Sequence, residues 1–210
     1  MANLFGWGAR RESEPVAQTP ARPAESLNTS VVLPKFLSAL ASRQAPTILD
    51  LGPVVGANVS FFGERLGCKL LIGDLHRDIA AASRDAAALL ERLSARLTAT
   101  VPDQLDGVLC WDVFDFLPKP VAHAVGGFLT TKLTPGGVVH GFFGSTAAEL
   151  THYTKFIVKS PTSIESRQEP APATKRTVLQ TRDLAAMFPG LKILESVLLK
   201  SQSRETLMRK

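Results

Sequence analysis

Cysteine is scarce, long apolar runs are missing, and so are the two glycine patterns that cradle phosphates. The 210 residues hold two cysteines, Cys68 and Cys110. They have no ligand-like spacing and both fall in apolar runs that predict strands, so they read as buried reduced thiols of a cytosolic protein. No apolar run approaches the roughly 20 residues of a membrane-spanning helix. At the N-terminus Leu4, Phe5 and Trp7 precede Arg10 and Arg11, and Glu12 and Glu14 follow, which is not the order of a secretion signal. The expectation is a cytoplasmic protein without a membrane partner. The four histidines stand dispersed at 76, 123, 140 and 152, and no metal set or Ser-His-Asp arrangement rises out of the sequence.

What is present points to one globular unit. Hydrophobic residues make up 45% and charged residues 20% of the chain, close to globular averages. Residues 1–28 are rich in Pro, Ala, Ser, Glu and Arg and lack apolar periodicity, which predicts a disordered tail ahead of a domain spanning 29–210. The net charge of +5 is uneven, with 11 Lys and Arg against 5 Asp and Glu from Lys155 onward. Such a basic third favours an anionic acceptor or nucleic acid in principle. The cations are scattered without interleaved aromatics, so a solvated basic face is the plainer reading.

The domain is organised around Pro46 to Asp74. Thr47-Ile48-Leu49 is a short apolar run closing on Asp50-Leu51-Gly52, the pattern of a buried strand that ends in a sharp turn. Gly52 and Gly56 let the backbone curl and approach a ligand closely. The helix predicted from Asn58 to Leu66 aims its free N–H groups at the same point. A second strand, Cys68 to Gly73, ends on Asp74, an acid placed to accept hydrogen bonds from the hydroxyls of a ribose. The stretch thus reads as half of a nucleoside site. Gly52-Pro53-Val54-Val55-Gly56-Ala57 lacks the middle glycine of a dinucleotide fingerprint, and no lysine follows Gly56 as a nucleotide P-loop requires. With acidic Asp50 at the turn and no cation beside it, a cationic or zwitterionic ligand such as S-adenosyl-L-methionine suits the site better than a polyphosphate.

These residues resemble the class I S-adenosylmethionine-dependent methyltransferases. Ile48-Leu49-Asp50-Leu51-Gly52 with Gly56 resembles the first motif of that family, and Asp74 its ribose acid. Leu105 to Val113 is similar to the fourth strand, and Leu133-Thr134-Pro135-Gly136-Gly137 to the turn before the fifth. The resemblance runs from about Thr47 to Lys210. It departs where the usual third glycine is replaced, with Asn58 nearby, and where the segment between the second and fourth strands is short. It implies a Rossmann-like α/β fold: a seven-stranded, mostly parallel sheet with helices on both faces, a reduced third strand near Leu97 to Val101 and a C-terminal antiparallel hairpin. It also implies S-adenosyl-L-methionine as cofactor, held by Asp50, Gly52, Gly56, Asn58, Asp74, Leu75, Asp103, Trp111 and Asp112. Methyl transfer to an unidentified acceptor, a small molecule before a macromolecule, follows as the expected activity. A methyltransferase-like module without catalysis is the alternative, and a nicotinamide oxidoreductase a weaker one.

Further along, Ile79, Ala82, Ala86, Leu89, Leu93 and Leu97 form one helical stripe. Asp112, at the end of the fourth strand, faces the pocket and is placed to position an acceptor or take its proton. His140 reads as a packed, hydrogen-bonded strand residue. The segment from Gly144 to Arg176 is the least regular: Tyr153, Phe156, Ile157 and Val158 suit a strand, Ser160-Pro161 a turn and Ser163 to Arg167 a return, with Pro170-Ala171-Pro172 as a break. It is expected over the acceptor side, with His152, Tyr153 and Lys155 as candidates for substrate contact. Asp112 and Tyr153 are the catalytic candidates. Thr181 is read as the cap of a short helix that ends at Pro189-Gly190.

Overall fold

The computed structural model describes residues 25–82 and 85–210. In chain order they form β1 (Glu25–Thr29), α1 (Leu33–Ala41), β2 (Thr47–Asp50), α2 (Gly56–Val59) with a π-helical continuation (Ser60–Arg65), β3 (Lys69–Ile72), α3 (Leu75–Ala81), α4 (Ala86–Thr100) and β4 (Leu105–Trp111). After a 3₁₀ turn (Val113–Phe116) come α5 (Lys119–Lys132), β5 (Leu133–Gly144), β6 (Glu149–Ser160), β7 (Ser163–Lys175), α6 (Thr181–Met187), β8 (Lys192–Leu198) and β9 (Ser203–Arg209). The central sheet has the order β3-β2-β4-β5-β9-β8. Its first four strands are parallel, and β9 lies antiparallel to both β5 and β8.

The unbroken apolar runs of β2 and β4 are what a strand covered on both faces requires. On one face α4, α5 and α6 bury Leu93, Leu97, Val121, Leu129, Leu184 and Met187. On the other, α1 and the α2 region bury Phe36, Leu40, Phe61 and Phe62. A second sheet, β1-β7-β6, stands over this latter face and inserts Phe156, Val158 and Ile164 into its core.

Several expectations change. The sheet has six strands among the described residues, not seven. The stripe Leu89, Leu93, Leu97 stays helical to Thr100, and Pro102-Asp103-Gln104 is too short to hold a strand before β4. The single helix expected from Ile79 to Leu97 is two, α4 restarting at Asp85, whose carboxylate accepts from Ala87 N at 2.9 Å. The helix expected to begin at Asn58 begins at Gly56. The last helix is capped by Gln180, reciprocally with Asp183, rather than by Thr181.

The expected tail of residues 1–28 overlaps β1, which pairs antiparallel with β7 from Glu25↔Arg167 to Thr29↔Ser163; residues 1–24 lie outside the described ones. The strand, turn and return read from Tyr153 through Ser160-Pro161 to Arg167 are present, within a longer hairpin of Glu149–Ser160 and Ser163–Lys175. Pro170 and Pro172 do not break it. β1 covers β7 only as far as Arg167, so beyond it one edge of β7 has no partner strand among the described residues, where a residue lacking an N–H loses no ladder bond. His140, as expected, is wholly buried and bonded: its Nε2 lies 2.8 Å from Glu205 Oε1, which also takes the Ser30 hydroxyl.

Candidate functional site

The parallel strands β2 and β4 lie side by side with β3 and β5 outside them, so the strand order reverses between β2 and β4. Ligands of open α/β sheets bind beyond the carboxyl ends of the strands at such a point. Asp50, Gly52, Asp74, Trp111 and Asp112 all stand there.

The turn after β2 is already occupied by protein. Trp111 ends β4 with φ +49°, a left-handed conformation that is strained for a bulky side chain. Its indole N–H donates to Asp50 Oδ1 at 2.6 Å, and the same oxygen accepts from Gly52 N at 2.8 Å. A Cβ built on Gly52 would meet Trp111 Cδ1 at 2.7 Å. The room left by the glycine is therefore filled by the indole. Phe156 of β6 stacks on that indole with ring centres 5.1 Å apart and planes 9° from parallel, and Phe142 stacks on Phe156 at 4.7 Å. Trp111 is 2% and Asp50 1% exposed. Burial pushes the Asp50 carboxyl up to about 7, against the bonds from Gly52, Trp111 and Asn58 that hold it down.

Asn58 fastens the arm to this turn. Its amide donates to Phe156 O at 2.9 Å, and its carbonyl accepts from Val158 N at 2.8 Å. Its polar atoms are thus committed to β6 and to Asp50 instead of a ligand. Asn58→Ala strips both bonds from buried backbone groups and is expected to cost about 2–3 kcal/mol. Urea unfolding, with faster amide exchange at Val158, checks this.

The remaining expected cofactor residues separate into three kinds. The Leu75 side chain is wholly buried in the α4–α5–α6 core, which removes it from a ligand role. Asp103 precedes β4, at the opposite end of the strand from the site, and its exposed carboxylate pairs with Lys132 at 2.7 Å. The family resemblance alone had placed it near the amino group of an adenine. Asp74 and Gly56 stay accessible. Asp74, at φ +47°, precedes α3, makes no capping hydrogen bond and is partly exposed, and nothing lies within 4 Å of a Cβ built on Gly56.

Taken together, these residues do not fit S-adenosyl-L-methionine as they stand. The acceptor of Asp50, the space over Gly52 and the amide of Asn58 are used within the protein, and Leu75 and Asp103 are turned to other tasks. Cavities lie to either side, and Asp50, Gly52, Gly56 and Asp74 line neither.

The catalytic candidates come together through a histidine that the sequence reading passed over. His76 stacks on Tyr153, with centres 4.7 Å apart and planes 20° from parallel, and meets Phe116 edge-on at 5.1 Å. Its Nε2 lies 3.5 Å from Asp112 Oδ1. Both atoms are buried and neither makes a hydrogen bond. A cavity of about 650 Å³ opens on His76, Phe116 and Tyr153, between α3, α4 and the end of the hairpin. A second, of about 500 Å³, opens on Asp112, Phe116, Asp115 and Arg176 beneath the arm. His76, Asp112 and Phe116 form the partition between them. His152 is exposed and bonded to Thr151, though it reaches the second cavity; Lys155 pairs with Glu169 at 3.0 Å. His76 follows Asp74 by two residues and carried no motif of its own. Only its place at the strand end could have singled it out.

At the second cavity, Asp115 is 2% exposed, accepts from Gly144 N at 2.8 Å and pairs with Arg176 Nε at 3.1 Å. Burial pushes its carboxyl up to about 7, more than the Gly144 bond and the Arg176 charge lower it. Among the described residues no cluster of His, Cys, Asp and Glu could hold a metal ion, and no helix is long and apolar enough to cross a membrane.

The sequence matches no protein-family model and no curated protein. Solved structures do match. A 1,6-didemethyltoxoflavin-N1-methyltransferase of Burkholderia thailandensis, with 1,6-didemethyltoxoflavin and S-adenosylhomocysteine bound, shares 14% identity over 86% of this chain and 77% of its own, with a TM-score of 0.50. An S-adenosylmethionine-dependent methyltransferase of Clostridium acetobutylicum shares 11% over 84% of this chain and 90% of its own, at 0.49. At such identity the first likeness establishes the fold, that of the class I S-adenosylmethionine-dependent methyltransferases, and does not extend to the chemistry.

Proposed function

We propose that this chain uses the class I methyltransferase fold as a small-molecule binding module, its cofactor cleft closed by Trp111 and the β6–β7 arm. The observation that carries this reading is the indole of Trp111, bonded to Asp50 and lying in the space over Gly52. A methyl donor could not reach that turn without expelling a side chain that is 2% exposed. The free capacity lies in the cavities on either side of His76 and Asp112, which have the volume and the mixed apolar and polar lining of small-molecule sites. A nucleic-acid partner is disfavoured because several cations of the basic third are engaged, Lys155 with Glu169, Lys159 with Glu165 and Arg176 with Asp115.

Calorimetric titration with S-adenosylmethionine and with S-adenosylhomocysteine tests the reading. No saturable heat is expected from either. Saturable binding that Asp74→Ala abolishes would overturn it.

One observation favours the second reading, methyl transfer to a small acceptor. Asp74 and Gly56 keep the positions of a ribose acid and a ligand-facing turn, both open to solvent. On that reading the indole and the arm must withdraw together, and Asp112 and Tyr153 would face the acceptor. The same titration decides between the two.

A further inference from the structure

We infer that the cavity beneath the arm takes a free α-amino acid with an apolar side chain, Asp112 receiving its ammonium group and Arg176 its carboxylate. The inference rests on the binding-module reading, which leaves the cavities open, and names the ligand of one of them.

Asp112 and Arg176 both line this cavity of about 500 Å³. Each is held on one side by protein and offers its other side to the space. Asp112 Oδ1 is buried against His76, yet the side chain is 15% exposed, which leaves Oδ2 open to solvent, and Oδ2 has no hydrogen-bond partner. Arg176 Nε is buried at 3.1 Å from Asp115 Oδ2, while the two terminal nitrogens reach solvent and bond to no protein group. The arginine stem is fixed. It lies on Gly144, where a Cβ would collide with it, and its backbone N–H donates to Ala148 O at 2.9 Å. The other acids of the lining are engaged: Asp115 accepts from Gly144 N and pairs with Arg176, and Glu205, 1% exposed, holds His140 and Ser30.

Asp115 N donates to Asp112 O at 3.0 Å and so closes the turn that sets Asp112 beside Asp115, with Arg176 against the latter. The open carboxylate oxygen and the open guanidinium fork are therefore neighbours. A guanidinium fork matches a carboxylate through two parallel hydrogen bonds, and a carboxylate oxygen accepts from an ammonium group. A simple carboxylate or a phosphate is repelled by Asp112, and a simple amine by Arg176. A molecule that carries both charges a few bonds apart satisfies both groups. Burial pushes the Asp115 carboxyl up to about 7, so near neutrality it offsets the Arg176 charge only in part.

The rest of the lining sets the body of the ligand. Buried Phe142, Phe156 and Ile164 form the inner wall, while Ser26, Asn28, Gln168 and Lys200 stand exposed at the mouth. An apolar side chain gains from burial on that wall in rough proportion to the area it loses to water. An adenosyl group would give up its hydration there without replacement, so S-adenosylhomocysteine, with the same two charges, does not fill the cavity.

The test compares L-phenylalanine with 3-phenylpropanoate, which lacks the ammonium group, and 2-phenylethylamine, which lacks the carboxylate. Binding is read from chemical-shift titration of the full chain. L-Phenylalanine is expected to bind at least about tenfold more tightly than either analogue, the effect of one charge-assisted contact. It should shift Phe142, Phe156 and Arg176 while Gly56 and Leu89 stay still. In Asp112→Asn the preference over 3-phenylpropanoate should shrink to about twofold or less, and the preference over 2-phenylethylamine should remain. Should that variant fail to fold, the two ratios in the unaltered protein still decide. Equal binding of the three compounds, binding of none at the solubility limit of L-phenylalanine, or shifts centred on Leu89 would each overturn the inference. Shifts of Phe142 by S-adenosylhomocysteine would overturn the apolar side chain assigned to the ligand. Its binding at Gly56 and Asp74 would instead overturn the binding-module reading and leave the amino-acid site standing, so the two failures are told apart.

Discussion

Trp111→Ala is expected to lower the unfolding free energy by about 3–5 kcal/mol, the range for truncating a large buried aromatic. Three contributions act in the same direction. The indole leaves a cavity between Gly52 and the ring of Phe156, it takes away one of the hydrogen bonds to a carboxyl that is 1% exposed, and it removes the surface on which the arm is stacked. One contribution opposes. At φ +49° the backbone of residue 111 is strained, and Trp111→Gly relieves about 1 kcal/mol of that strain while losing the same contacts. Glycine is therefore expected to be less harmful than alanine here, the reverse of the order in an ordinary strand. Urea unfolding of the two variants measures this. A loss under about 1 kcal/mol for alanine would mean that the indole is loosely seated and that the turn at Gly52 is open after all.

Stability is expected to fall as pH rises from 5 to 8, by a few kcal/mol, owing to Asp50 and Asp115. Each carboxyl has an ordinary value of 3.8 and is pushed up to about 7 in the folded protein, chiefly by burial. Between those values the folded chain holds protons that the unfolded chain has released. The stabilisation is complete below about 4 and is lost as pH climbs through 7. Asp103, Glu165 and Asp183 are shifted the other way, Asp103 by Lys132, Glu165 by Lys159 and Asp183 by the Gln180 N–H. Their support is present above about 4 and disappears below it, outside the window, so the optimum falls near pH 5. Asp50→Asn keeps an acceptor for Gly52 N and for the indole without a charge to bury. It is expected to be more stable than the parent at pH 8 and nearly equal to it at pH 5. Denaturant midpoints at the two pH values test both statements; an Asp50→Asn slope identical to that of the parent would exclude Asp50 as the source.

The frame of the fold was legible because its signals are local. Ile48-Leu49 and Val108-Leu109 are short apolar runs flanked by Pro46, Gly52 and Gly107, the pattern of strands covered on both faces. Gly52 and Asp74 stand where the reading placed them, at the ends of adjacent strands. The third strand was misread because position in a family pattern was weighed above the period of Leu89, Leu93 and Leu97, which continues undisturbed to the end of α4. Within the site, the role of Gly52 was misjudged for a different reason. A glycine at a turn signals close approach, but not what approaches, and the indole that does so comes from 59 residues further along the chain. Asn58 and Phe156 are likewise joined across 98 residues. No pattern along the chain announces such pairs. The histidine beside Asp112 was dispersed among four and carried no spacing to mark it.

The strand at Glu25–Thr29 bears on the order in which the molecule is built. Asn28 reaches Ser166 across 138 residues, and Ser30 reaches Glu205 across 175. A chain emerging from the ribosome exposes its first strand long before either partner has been made. The small sheet over Trp111 waits for β7, which ends at Lys175, and the bond from Ser30 waits for β9, so closure over these long loops comes late and slowly. Until then the aromatic floor formed by Trp111 and Phe142 stands uncovered, which makes the late-arriving hairpin the step most exposed to clumping during synthesis.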